Sequence, residues 1–249
     1  METTIEPGVV PQRSDAEMKT RRDLSALYRL IAHFRMTDLI DTHISARVPG
    51  TDNHFLINHY GVMFHEMTPE DLVKIDIDGN PVEPGDEDSQ RVNAAGFTIH
   101  SAIHSARHDL VCVIHTHTAD GIAVACQQEG LLPITQHALR YYNRIGYHAY
   151  EGIALDLDER ERLIRNLGTH HAMILRNHGL LAAGRTIAEA FINIHFLERA
   201  CQAQVKAMSG GARLTFPSPE VCERTARQFE RPGALEYCER AFAAAQRLL

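Results

Sequence analysis

Two short, wholly apolar runs constrain this chain more than any other feature: residues 110–114 (LVCVI) and 172–175 (AMIL). A strand with no polar alternate has no solvent face, so both runs must be covered on each side. The covers are legible as helical periodicities. Residues 14–36 place Leu24, Leu27, Tyr28, Ile31 and Phe34 at helical spacing behind a Ser14–Asp15 start. Further helices are expected over 89–106, 118–129, 155–167 and 187–208, and through most of the chain after Pro219. Short strands are expected at 54–58 (HFLIN) and 73–77 (VKIDI), the second followed by a turn at Asp78-Gly79-Asn80. Between them Thr68-Pro69-Glu70-Asp71 reads as a helix start, and 81–88 (PVEPGDED) as an acidic loop. Strands and helices alternate without a repeat, which fits an α/β fold: a three-layer α/β/α sandwich around a mixed β-sheet. The 249 residues suit one domain over 14–249 with a C-terminal helical extension, behind a flexible leader at 1–13 carrying Pro7, Gly8 and Pro11.

The charge balance narrows the function classes. A formal net charge of -7 argues against nucleic acid as a partner, because phosphate binding needs a positive patch. No stretch approaches the roughly 20 apolar residues of a membrane span, and the N-terminus lacks the basic-then-apolar order of a secretory signal. Five cysteines, an odd number with no CxxC pair, read as reduced thiols of a cytoplasmic protein.

Histidine is the unusual residue, at 16 copies. His115-Thr116-His117 closes the run LVCVI, and residues i and i+2 of a strand face the same side. Both imidazoles can therefore converge on one ion. Asn177-His178-Gly179, just beyond the second apolar run, offers a third ligand, with the glycine permitting a tight turn and close backbone approach. Three protein ligands with an open position are what a catalytic metal requires. The ion is expected to be divalent, zinc first, with Fe²⁺, Mn²⁺ or Co²⁺ as alternatives that imidazoles also accept.

The segments FLINHYG (55–61), MTPEDLVKIDIDG (67–79), HDLVCVIHTHTADG (108–121), ILRNHGLLAAG (174–184) and EAFINIHFLERACQAQ (189–204), in this order, resemble the class II aldolase/adducin family over about residues 20–210. The resemblance places the family's metal ligands on His115, His117 and His178. It implies an α/β/α subunit, a homotetramer with active sites between neighbours, and a small-molecule substrate whose carbonyl or hydroxyl the metal chelates as a Lewis acid. Many members are lyases that cleave a C–C bond, and others epimerise a sugar phosphate.

Two family signatures are altered. Ser-Ser-Glu, which binds phosphate and moves the proton in the sugar-phosphate aldolases, aligns with Ala94, Ala95 and Gly96. The phosphate loop Gly-Asn-(Ile/Val)-Ser reads Thr42-His43-Ile44-Ser45. The segment SQRVNAAGFTIHSAIHSAR is closer to an adducin-like bacterial branch. An unphosphorylated hydroxy-carbonyl substrate is the resulting expectation, with His43 or His100 replacing the lost base. His100, His104 and His108 fall four apart, which fits either a site face or a solvated or inter-subunit stripe. Arg91 and Asn93 are candidate substrate-binding residues, Arg91 as a bidentate partner for a carboxylate. Tyr142, beside Tyr141, matches an aromatic segment near the neighbouring subunit's site. An Fe²⁺-dependent oxygenase and a non-catalytic adducin-like assembly protein remain the alternatives to a metal-dependent lyase of aldolase or decarboxylase type.

Overall fold

The computed structural model describes residues 13–88, 90–153 and 158–249. Seven strands form one sheet: β1 (His43–Arg47), β2 (His54–Asn58), β3 (Leu72–Asp76), β4 (Cys112–Thr116), β5 (Gly146–His148), β6 (Ala172–Leu175) and β7 (Gly179–Gly184). Their order is β3-β2-β1-β4-β7-β6-β5. Every neighbouring pair is antiparallel except β5 and β6, so the sheet is mixed.

Strand alternation sends successive side chains to opposite faces. On one face Ile44, Ala46, Cys112, Ile114, Leu180 and Ala182 pack with the helices α1 (Asp15–His33), α6 (Ile187–Ser209) and α8 (Ala234–Gln246). On the other, Val113, Met173, Leu181 and Ala183 pack with α2 (Ala94–Ala106) and α5 (Glu159–Leu167). The three-layer sandwich is therefore as expected. Both strands read from apolar runs are buried throughout, although the first lies two residues later than its run, at Cys112–Thr116.

Several local expectations are corrected. Thr68–Asp71 forms a turn and not a helix. Thr68 N–H and Oγ1 both donate to the Asp71 carboxylate, and β3 begins at the next residue, leaving no room for a helical turn. The helix expected from 89 starts at Ala94, because Asn93 is its N-cap and accepts from Gly96 N–H. Residues 42–45, taken as a loop, contain the start of β1. The helix after His117, α3 (Ala119–Ala125), ends at Cys126 rather than 129. Two short elements carry too few residues for a visible period: β5 and α4 (Gln136–Leu139). β7 was hidden in GLLAAG, whose glycines and alanines give little strand signal. The chain after α6 is helical, as α7 (Pro219–Phe229) and α8. Residues 1–12 of the expected leader lie outside the described residues, as do 154–157 before α5. Arg13 is held by Glu83 in a bidentate pair. None of the described helices is long and apolar enough to cross a membrane.

A buried charge cluster fixes α1 to the edge of the sheet. Arg21, fully buried, donates to Glu17, to both oxygens of Glu83 and to the carbonyl of Leu72, while Lys74 donates to Glu17. Burial pushes the Glu17 carboxyl up, and the hydrogen bonds from Lys74 and Arg21 outweigh it, so the net shift is downward. A lowered carboxyl contributes stability that is present above its unfolded value and lost as pH falls through the folded one. Arg21→Ala should destabilise the fold by about 3–5 kcal/mol in urea titration, because it strands buried carboxylates. It should also flatten the acid limb of the stability–pH curve below the ordinary glutamate range.

Candidate metal centre

The centre of the sheet carries the site. In β4, His115 faces the α2 side, opposite His43 of β1 and Leu181 of β7. His117 follows one residue past the strand end, and His178 stands in the β6–β7 turn. The turn depends on Asn177, which takes the left-handed conformation (φ 56°), one that asparagine tolerates better than most residues. Of the two roles expected of Gly179, the structure shows the close backbone approach, while the left-handed turn residue is Asn177. Gly179 lies in β7, and a Cβ there would sit 2.4 Å from the Thr116 carbonyl and 3.3–3.4 Å from the His117 and His115 rings. Its missing side chain lets the two ligand-bearing segments close on each other.

The three Nε2 atoms form a small triangle: 2.7 Å between His115 and His117, 2.9 Å between His117 and His178, and 3.2 Å between His115 and His178. Nitrogens bound to one ion at about 2.0–2.1 Å, at angles of about 90–110°, stand roughly 2.8–3.4 Å apart. A proton does not account for the His115–His117 side of the triangle. His115 Nδ1 donates to the Leu180 carbonyl at 2.9 Å, and His117 Nδ1 faces the Asp38 carboxylate at 3.2 Å. A neutral imidazole has one N–H, so both Nε2 atoms point bare lone pairs at each other. Burial holds the His115 ring well below the usual histidine range and lowers His178 to about 4. Two bare lone pairs facing each other at 2.7 Å are repulsive unless a cation sits beside them, and His178 Nε2 converges on the same point. The donor set thus fits a divalent ion, and the partners on the far nitrogens are those that orient metal-bound histidines. Among the described residues this is the one group of side chains so arranged.

A cavity of about 540 Å³ opens over the triangle. His43, Arg91 and Asn93 line it together with the three ligands, as do Asp38, Tyr60 and Tyr150. The sequence reading missed these last three. Asp38 and Tyr60 belong to loops with no chemical motif, and Tyr150 follows the unrecognised β5. Arg91 is exposed and meets no carboxylate among the described residues. Asn93 already uses its Oδ1 to cap α2, so only its amide nitrogen is left for a ligand. His100 lies beneath the pocket, buried, with its Nε2 2.7 Å from His43 Nδ1. The histidine stripe breaks after His104: His100 and His104 are buried, whereas His108 is exposed beyond the end of α2. Tyr142 is half-buried and lies outside this cavity, while Tyr141 is buried and donates to the Asn193 carbonyl.

Gly96, expected from the resemblance to stand where sugar-phosphate aldolases carry glutamate, packs against His43. A Cβ on Gly96 would lie 2.7 Å from His43 Cδ2 and 2.8 Å from its Cγ. The imidazole therefore occupies the space a side chain at 96 would need. A longer side chain at 96 and the His43 ring could not both fill this space.

Residues 22–205 match the profile of the Class II Aldolase and Adducin N-terminal domain. The chain belongs to this family. A Caulobacter vibrioides relative, named for aldolase class 2, is 49% identical over 86% of this chain and 82% of its own length. Rattus norvegicus alpha-adducin is 42% identical over 78% of this chain, which amounts to 26% of that protein. Among solved structures, an aldolase II superfamily protein from Pseudomonas syringae superposes with a TM-score of 0.86 at 50% identity, covering 94% of both chains. L-fuculose 1-phosphate aldolase from Glaciozyma antarctica superposes at 0.84 with 26% identity, over 98% of this chain and 94% of that one. Class II aldolase relatives thus share the sheet on which the three histidines sit.

Asp38→Asn should weaken zinc binding about 10–100-fold, as removal of a partner to a ligating histidine does. Competition with a chromophoric chelator measures this, and the urea midpoint of the metal-free protein should barely move, since Asp38 is exposed.

Proposed function

We propose that the protein is a divalent-metal-dependent lyase that cleaves or forms a C–C bond in a small, unphosphorylated hydroxy-carbonyl compound. The observation that carries this reading is the triangle of converging Nε2 atoms opening into a cavity whose wall bears His43. His115, His117 and His178 would hold the ion, zinc in the first instance. Bound there, a divalent ion polarises a carbonyl or hydroxyl oxygen and stabilises charge that develops on it.

The protein's own groups do the rest. Burial keeps the His43 ring well below the usual histidine range, so it is neutral at physiological pH and available to accept a proton. Arg91 supplies a positive charge at the cavity wall suited to a substrate carboxylate, which it can hold through two parallel N–H donors. The Asn93 amide adds a donor beside it. Tyr60 and Tyr150 narrow the cavity and limit water at the reacting carbon. The L-fuculose 1-phosphate aldolase likeness supports carbon–carbon chemistry. Ala94 and Ala95, where the resemblance leads one to expect a phosphate-binding serine pair, support a substrate without phosphate.

Assembly is part of the proposal. Leu39, Tyr150 and Ile153 are exposed by 67%, 54% and 74%, and the last two line the cavity, so apolar side chains stand exposed at its mouth. A second copy of the chain, in a homotetramer, would cover these side chains, and Tyr142 would then serve a neighbouring cavity. The 42% identity to alpha-adducin favours one other reading, a non-catalytic assembly protein that keeps the fold.

Three measurements test these statements. Elemental analysis of purified protein should find close to one divalent ion per chain, lost in His178→Ala. On a panel of unphosphorylated hydroxy acids and hydroxy ketones, turnover should appear in the wild type, with His43→Ala slower by about 10²–10⁴-fold. A metal-free wild-type protein, unchanged by His115→Ala, would favour the assembly reading. Ile153→Asp should dissociate the oligomer in light scattering; a wild-type monomer would remove the tetramer.

A further inference from the structure

A second cavity, of about 860 Å³, is larger than the one over the metal centre and lies well away from it. Its walls come from the segment before β6, Arg185 after β7, the start of α6, and the turn from α7 into α8. His178 stands in the turn at the other end of the β6–β7 hairpin. At strand rise the two ends are about 20 Å apart.

The charges around this cavity do not balance. Four arginines, Arg140, Arg144, Arg185 and Arg231, line it against three glutamates. That is a local reversal in a chain whose formal net charge is -7. Each glutamate is already spoken for: Glu223 and Glu230 hold Arg144, and Glu189 holds Arg185. Arg231 is exposed and donates to the Gln228 carbonyl. Neither it nor Arg140 has a carboxylate in ion-pair range among the described residues. Burial holds His170 and His171 below the usual histidine value, so near neutrality the arginines carry the positive charge.

Arg140 is held in place before any ligand arrives. Asn193, 3% exposed, gives its amide N–H to the Ala183 carbonyl at 2.8 Å, which leaves its Oδ1 for the arginine. That oxygen accepts from Arg140 Nε at 3.2 Å and from a terminal nitrogen at 2.7 Å. The guanidinium also lies 5.7 Å from the Phe196 ring centroid and 5.3 Å from that of Phe229. A neutral amide and two ring faces orient a cation without neutralising it. A half-buried guanidinium ordered in this way beside open space is suited to an oxyanion, because little side-chain freedom is lost on binding. The start of α8 borders the same space. Gly233 and Ala234 line it, and no side chain caps the helix, so its positive end adds to the field.

Size and wall chemistry describe the rest of the ligand. The volume falls among small-molecule sites, roughly 300–1,000 Å³, and is more than an inorganic ion fills. Phe229 and Leu235 give it apolar wall for a carbon body.

We propose that this cavity is a second ligand site, which binds a small organic anion by seating a carboxylate or phosphate group on Arg140, with Arg231 adding positive charge. The site is independent of the metal centre and of the lyase reading.

Calorimetric titration of the metal-free, full-length protein with citrate, and separately with glucose 6-phosphate, tests this and distinguishes the two acidic groups. At least one should bind saturably, near one per chain. Arg140→Gln should weaken that binding about 10–100-fold. Arg231→Gln, at an exposed position, should weaken it about two- to fivefold, and this arm stands even if Arg140→Gln fails to fold. Arg91→Ala, in the other cavity, should leave the affinity unchanged. Binding of neither compound would overturn the proposal. So would binding that Arg91→Ala abolishes and Arg140→Gln preserves, which would place the anion over the metal centre. A wild type that binds neither, with an oligomer that Arg140→Gln dissociates in light scattering, would assign the cavity to a second copy of the chain instead. Absence of metal or of turnover would count against the lyase reading and leave this site standing.

Discussion

The site depends on the pairing of β4 with β1 and β7 in the middle of the sheet. Antiparallel register sets His43 opposite His115 and Leu181 opposite His115 on the other side. That single row places a ligand, its neighbouring ring and the strand that leads from His178 at fixed separation. A one-residue slip would turn every imidazole to the α1 side of the sheet. The slip is opposed by the apolar alternates, because Ile44, Ile114 and Leu180 would then have to leave a packed core for the polar face. Hydrophobic burial on one side of the sheet therefore maintains coordination geometry on the other.

Burial dominates the electrostatics of the polar side. Burial enforces neutrality at His43, His100, His104, His115 and His178, each of which is shifted downward. Fixed acceptors then choose the nitrogen. The Leu180 carbonyl does so for His115 and the Asp38 carboxylate for His117. The orientation of these two rings is thus settled by the fold.

Much of this was legible in the sequence, for identifiable reasons. The two apolar runs marked central strands because nothing polar interrupted them. The HxH pair and Asn177-His178-Gly179 could be read because strand periodicity and turn chemistry are local. What escaped was either weak in side-chain signal or remote along the chain. β7, written GLLAAG, earns its place by close backbone approach to β4, which composition does not record. Asp38 is far from His117 in sequence and belongs to a loop held by Leu39 in the left-handed region (φ 46°), an arrangement no propensity would suggest. The histidines of α2 showed the right spacing, but whether that face met solvent or strand could not be decided before β1 was known to lie beneath it. The helix expected at Thr68 failed because a turn closed by Asp71 uses the same residues that would cap a helix.

The contact between His43 and Gly96 couples those two positions sterically. A carboxylate-bearing side chain added at 96 alone drives into an imidazole. Redesign that brings a side chain to position 96 therefore has to shrink or move the residue at 43 in the same step, so the two are one choice and not two.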